Sequence, residues 1–136
     1  KDGTIVSAKQ PKISATCIRV PVRDGHLASV SASFVKKPTI KQIISAWKKF
    51  DPLKELKLPS SPYPFITVIE EENRPQTRLD RGIGKGMGIS VGRLREDELH
   101  TYKFVGLSHN TIRGAAGGAI LTAELLKAKG YLDGLH

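Results

Sequence analysis

Polar and apolar residues alternate through the stretch "LASVSASF", residues 27–34: Ala28, Val30, Ala32 and Phe34 share one parity, and Ser29, Ser31 and Ser33 take the other. A period of two predicts a strand packed on one face, and His26 has the parity of its apolar side. Upstream, Ile13, Thr16, Ile18, Val20 and Val22 supply the β-branched residues of a second predicted strand over 13–22, with Pro21 arguing against a central position in a sheet. Between the two, "RDG" at 23–25 marks a turn. The period changes after Pro38. Thr39 and Gln42 have capping-box spacing, and Ile40, Ile43, Ile44 and Trp47 fall on one helical stripe, which predicts a helix packed on a core.

Four prolines break the pattern in "DPLKELKLPSSPYP", residues 51–64, which predicts a surface loop. "FITVIEE" from Phe65 predicts a short strand, and the glycine-rich, basic run over 72–86 a loop. Met87, Ile89 and Val91 alternate with small residues toward Arg93, and "EDE" then turns the chain into "TYKFVGL", so this pair predicts two antiparallel strands. The last predicted element is a helix over 111–129. Gly130 marks its stop, and Lys127 and Lys129 are suitably placed at its carbonyl end.

Composition narrows the setting. A chain of 136 residues with 39% hydrophobic content has room for one core and not for two domains of ordinary size. The single cysteine, Cys17, has no partner for a disulfide within the chain, which points to a reducing compartment, and no apolar run approaches the roughly 20 residues of a membrane-spanning helix. The expected location is the cytoplasm. The 22 Lys and Arg against 13 Asp and Glu leave a formal charge of +9, which favours anionic partners without choosing between a phosphorylated metabolite, a dinucleotide and a nucleic acid. Aromatic content of 6% argues against a single-strand-binding surface built on stacking, so no nucleic-acid partner is expected. The chain opens on Lys1 and its one methionine is Met87, which suggests a piece of something longer.

Two constellations carry chemistry. Arg19 lies in the predicted strand over 13–22 and His26 follows the turn, so both side chains can meet at strand ends. An arginine offers a fork for a carboxylate and a histidine can trade a proton near neutral pH; the competing reading is a surface arginine and a hydrogen-bonded histidine at the core edge. Cys17 shares the strand face of Arg19 and reads as a small buried hydrophobe more readily than as a nucleophile. The second constellation is "LSHNTIRGAAGGA", residues 107–119, where a strand ends at His109 and Asn110 and a small-residue helix begins. Asn110 either caps that helix or presents its amide to a cofactor. Glycines in a water-exposed helix cost about 1 kcal/mol each relative to alanine. Gly114, Gly117 and Gly118 therefore signal close packing or the close approach of a flat ligand. The run lacks the order of a Rossmann fingerprint or a P-loop, and nothing in the chain has the spacing of a metal site.

Taken together, "TCIRVPVRDGH", "RPQTRLDR", "GMGISVGR" and "FVGLSHNTIRGAAGGAILTAELL" resemble the C-terminal part of aspartate-semialdehyde dehydrogenases of the fungal and archaeal branch, over about residues 13–132. The resemblance implies an α+β fold, a largely antiparallel mixed sheet packed against two principal helices, as in the C-terminal domain of glyceraldehyde-3-phosphate-dehydrogenase-like enzymes. It implies residues 1–136 as an incomplete catalytic and dimerisation domain, with the NADP-binding Rossmann domain and the nucleophilic cysteine outside them. It also implies NADPH-dependent reductive dephosphorylation of L-aspartyl 4-phosphate to L-aspartate 4-semialdehyde, on the route to threonine, methionine and isoleucine. Arg19 then matches the holder of the substrate carboxylate and His26 the general acid/base. Asn110, Thr111 and Gly114 match the cofactor side of the pocket, with NADP bound in the intact enzyme and none expected on this piece. The intact enzyme takes an acyl-phosphate substrate and phosphate and forms a homo-oligomer. A malonyl-CoA reductase of the same family is the alternative, and a basic nucleic-acid-binding module is the alternative outside it.

Overall fold

The computed structural model describes residues 5–134. These residues build β1 (His26–Ala32), α1 (Ile40–Lys49), β2 (Ile66–Ile69), a short α2 (Thr77–Asp80), β3 (Ile89–Glu96), β4 (Tyr102–Ser108) and α3 (Gly117–Ala128). The strands form one sheet in the order β1-β4-β3-β2, antiparallel except for the parallel pairing of β2 with β3. The α+β class and the largely antiparallel mixed sheet expected from the sequence are what the chain forms.

Residues paired across strands project to the same side of a sheet. The register therefore gathers Val30, Phe104 and, through the Gly106 level, Val91 and Val68 on one face. Helix α1 lies on that face. Its Trp47 meets Phe104 edge-on at 5.0 Å, and Phe50 at its end meets Phe65 at 5.6 Å. Ile40, Ile43, Ile44 and Trp47 are half-buried, as their stripe predicts. The helix starts where its cap dictates: Thr39 Oγ1 accepts from Gln42 N–H while the Gln42 side chain accepts from Thr39 N–H, which completes the capping box.

The opposite face carries Leu27, Leu107 and Ser90, and α2 packs there: Thr77 and the Leu107 side chain close around Gly25. Asp80 anchors α2. Its buried carboxylate accepts from Gln76 N–H at 2.7 Å and from the Arg74 guanidinium. Burial alone would raise the Asp80 carboxyl, yet Arg74 and the Gln76 N–H overrule it and hold the group below its ordinary value. This element falls inside a run expected to be a loop.

Helix α3 closes the end of the sheet by which β3 enters. Leu121 packs with Met87 and Leu58, and Leu53, Leu56 and Leu125 surround that cluster. The proline-rich stretch over 51–64, expected on the surface, thus contributes core residues: each proline stops regular structure without keeping the leucines between them in water. Ser60 fixes the stretch to α3, donating through N–H and Oγ to the Glu124 carboxylate at 3.0 and 2.8 Å. Gly130, in the left-handed region, ends α3 as its position predicts.

The strand expected over 13–22 does not form. The described residues before Gly25 run without regular structure, and nearly all are exposed, Ile13 and Ile18 at 82% each. Pro21 has no N–H to give a ladder, and none of the four strands takes this segment as a neighbour. Cys17, expected to be a buried hydrophobe, is exposed for the same reason. The entry loop expected over the first twelve residues lies partly outside the described residues; from residue 5 onward it is irregular.

Candidate functional site

One end of the sheet gathers most of the residues singled out from the sequence. His26 opens β1 and stands opposite Ser108, the last residue of β4, which is itself opposite Ile89 of β3. Chain reversal before His26 is held from two directions. Gly25 is buried with φ at +107°, and a Cβ there would lie 3.1 Å from Thr77 and 3.2 Å from Leu107, so no other residue fits the turn without displacing them. Its N–H donates to Asn110 Oδ1 at 2.8 Å. On the other side Asp24 faces Arg81, which follows α2, at 3.7 Å, and Arg81 also donates to the Thr77 carbonyl at 3.1 Å. His26 itself is exposed.

Beyond β4 the chain does not enter an α-helix directly. Ile112–Ala116 form a wide π-type turn that opens when Gly114 N–H donates to the His109 carbonyl at 2.9 Å, with Ala115 outside helical geometry, before α3 begins at Gly117. His109 is buried and caps this turn through its ring. Nδ1 accepts from Thr111 N–H and Ile112 N–H, both at 3.3 Å, and lies 3.2 Å from Thr111 Oγ1. Accepting two backbone donors leaves Nδ1 bare and puts the ring proton on Nε2. The cap that Asn110 was one candidate to supply therefore comes from His109, and Asn110 Oδ1 serves Gly25 instead.

The small-residue run divides in two. Gly114, Ala115 and Ala116 are exposed. Gly117 and Gly118 are packing glycines: a Cβ on Gly117 would stand 2.5 Å from Met87 Sδ, and one on Gly118 would strike the Arg113 carbonyl oxygen. Close packing and an open small-residue surface, alternatives in the sequence, occupy successive turns. Arg113 secures the join. It donates to the Met87 carbonyl at 3.2 Å, its guanidinium lies 4.7 Å from the centre of the Phe65 ring, and burial pulls its pKa below the ordinary arginine value.

His26, Asn110, Thr111 and Gly114 are thus brought to one sheet end, with an exposed imidazole beside a polar, small-residue wall. Arg19 is not brought into that bonded set: it is exposed on the irregular segment and takes part in no ion pair among the described residues. Sequence reasoning passed over Asp24, Arg81, His109 and Arg113 as supports. Two of them left a trace, Asp24 as a residue of the predicted turn over 23–25 and His109 as a polar residue at the exit of a predicted strand. Among the described residues no cluster of His, Cys, Asp or Glu could hold a metal, and no helix is long and apolar enough to cross a membrane.

Known proteins resemble this chain in sequence and in fold. A family model described as semialdehyde dehydrogenase, dimerisation domain, matches residues 1–113. Aspartate-semialdehyde dehydrogenase of Archaeoglobus fulgidus is 50% identical over 125 residues, which cover 92% of this chain and 36% of that protein. Malonyl CoA reductase (NADP) of Metallosphaera sedula is 40% identical over 125 residues, covering 89% of this chain and 35% of that one. The crystal structure of aspartate semialdehyde dehydrogenase with NADP from Candida albicans superimposes with a TM-score of 0.74 at 44% identity, over 83% of this chain and 32% of that one. The chain spans about a third of the length of the curated relatives it matches.

Proposed function

The chain belongs to the semialdehyde dehydrogenase family, and from that membership we propose that it supplies the acid/base and substrate-holding part of an NADP-dependent aspartate-semialdehyde dehydrogenase. The reaction is reductive dephosphorylation of L-aspartyl 4-phosphate to L-aspartate 4-semialdehyde. The observation that carries this reading is the Gly25 N–H to Asn110 Oδ1 bond, which joins the turn bearing His26 to the small-residue wall.

In this assignment His26 holds and moves the proton at the reacting carbon's oxygen or at the attacking thiol, and its exposure leaves the ring open to substrate. Arg19 receives the substrate α-carboxylate on its guanidinium fork, and its freedom from acidic partners among the described residues keeps the fork unspent. Residues Asn110, Thr111 and Gly114 form the cofactor side. A carboxamide-bearing flat ring fits there: an exposed glycine and two alanines allow close approach, and the Asn110 amide still has two donors to offer. NADP, when bound, supplies or accepts the hydride. Cys17 is not assigned the nucleophilic role: it is a lone exposed cysteine on the irregular segment, and by family resemblance the thiolate, like the nucleotide-binding domain, comes from outside these residues. The protein acts in the cytoplasm as a homo-oligomer, with this domain in the subunit contact.

The test is turnover by the full-length enzyme carrying this chain. NADP⁺ should be reduced when aspartate semialdehyde and phosphate are supplied together and not when either is omitted. Malonyl-CoA should not support NADPH oxidation; if it does while aspartate semialdehyde is ignored, the substrate assignment moves to the malonyl-CoA branch.

A further inference from the structure

Asn110 stands in the assignment above only as a contact for the cofactor, yet its best-formed bond goes elsewhere. Because Gly25 N–H can only donate, the atom facing it at 2.8 Å must be the amide oxygen, so chemistry fixes the orientation of the side chain. That oxygen is committed to the residue preceding His26. The Nδ2 donors take no acceptor from the protein among the described residues. One planar group is thereby split, its oxygen held by the His26 turn and its nitrogen left without an acceptor from the protein among the described residues.

We propose that Asn110 is a positioning residue for His26: its carbonyl oxygen sets the Gly25 turn from which the imidazole projects, so that the cofactor wall and the proton-transfer residue are placed by one side chain. The argument rests on geometry around Gly25. At φ of +107° the turn has no intrinsic preference over other glycine conformations, and although His26 begins β1 directly after it, the described residues before it lack regular structure. Beside the β1–β4 ladder that begins at His26, two polar tethers hold the approach to the turn. The Asp24–Arg81 contact at 3.7 Å is long, beyond hydrogen-bond reach, whereas the bond from Asn110 is short and reaches a buried N–H whose loss would leave a donor unsatisfied. Asn110 is therefore the stronger of these two tethers. It also cannot drift, because the His109 cap and the Gly114 to His109 bond fix the chain on either side of it.

The proposal rests on the assignment of His26 to proton transfer, and its test separates the two. Asn110→Leu keeps the shape of the side chain and deletes both functions; Asn110→Asp keeps an acceptor and deletes the donors. In the full-length enzyme, Gly25 amide exchange should accelerate about 10-fold or more in the leucine variant and remain at the wild-type rate in the aspartate variant. Kinetically, the leucine variant should lose about 10- to 100-fold in kcat with little change in KM for aspartate semialdehyde, as misplacement of a reacting group predicts. In the aspartate variant the change should fall chiefly on KM for NADP⁺. Should the leucine variant not fold, Asn110→Ser, too short to reach Gly25, reads the same exchange. Wild-type Gly25 protection in the leucine or serine variant overturns the positioning role, as does wild-type kcat in a folded leucine variant. Gly25 exchange is read without turnover, so it stands or falls independently of the substrate and of the activity itself.

Discussion

The chain on the two sides of Gly25 has opposite fates. From His26 to Ala32 every residue is in register with β4, and the first of them sits at the end of the sheet where the candidate site assembles. Over 13–22 a more β-branched stretch, bearing Arg19, runs exposed with no strand beside it. Apolar alternation is thus a statement about which face would be buried once a strand exists. Whether it exists depends on an edge that offers a ladder of complementary N–H and C=O groups. β4 offers one to β1. Pro21 interrupts what residues 13–22 could offer in return.

The difference predicts which side chains matter for chemistry and which for folding. The largest effect belongs to His26. In the full-length enzyme His26→Asn should lower kcat by about 10²- to 10⁴-fold, with loss of one limb of the pH profile. Because the ring is exposed, the melting temperature should not move. A fall in melting temperature with the wild-type pH profile retained in the surviving enzyme would make His26 structural. Arg19→Leu, on the other side of the turn, should cost about two orders of magnitude in kcat/KM, and Arg19→Lys should recover only part of that, since lysine lacks the fork. Wild-type kinetics in a folded leucine variant would remove Arg19 from the site.

Next comes the support beneath the sheet end. Asp80→Ala leaves the Arg74 guanidinium without its buried partner and should destabilise the fold by about 3 kcal/mol in denaturant titration. The sign with pH follows from the lowered carboxyl. Its contribution is full above the ordinary value of 3.8 and is lost as pH falls through the lower folded value, so wild type and variant should converge only below about pH 4. Gly117→Ala should cost about 1–3 kcal/mol, because the new methyl meets Met87 Sδ. At the small end, Ile18→Ser should change the thermal stability of this chain by less than about 0.5 kcal/mol, as its side chain is already in water. A larger loss from Ile18→Ser would mean that the irregular segment packs on something after all, and the contrast across Gly25 would fail.

The parts legible in the sequence are those whose signal is local. The capping box of Thr39 and Gln42, the serine-alanine alternation of β1, the β3–β4 pair around its acidic turn and the stop at Gly130 all form as expected, since each depends on neighbours a few residues away. The misses involve either a partner distant in the chain or, at Asp80, a local bond that the composition of its run conceals. Leu58 is buried because α3 comes to lie on it, and no pattern within 51–64 announces that. Asp80 is held by Arg74 and Gln76 inside a run whose glycines and charges read as loop. At the site, the resemblance pointed to His26 and Asn110, and their union through Gly25 was not visible in it. The competing uses of the small-residue run were also undecidable from composition: Gly114 and Gly117 look alike in sequence, and only the π-type turn between them sends one to solvent and the other against Met87.

The bond between Gly25 and Asn110 closes a loop of 85 residues. Closing so long a loop is entropically slow, and such contacts form after the local ones that shorten the effective loop. The β3–β4 hairpin and α1 can organise early, whereas β1 must wait for β4 to be complete before it has an edge to join. During synthesis the residues of the His26 turn leave the ribosome long before Asn110 does, so the candidate-site end of the sheet is among the last parts of this domain to become native. In that order of events the helix and hairpin precede the placement of His26, and closure of the Gly25–Asn110 bond would report that folding has finished.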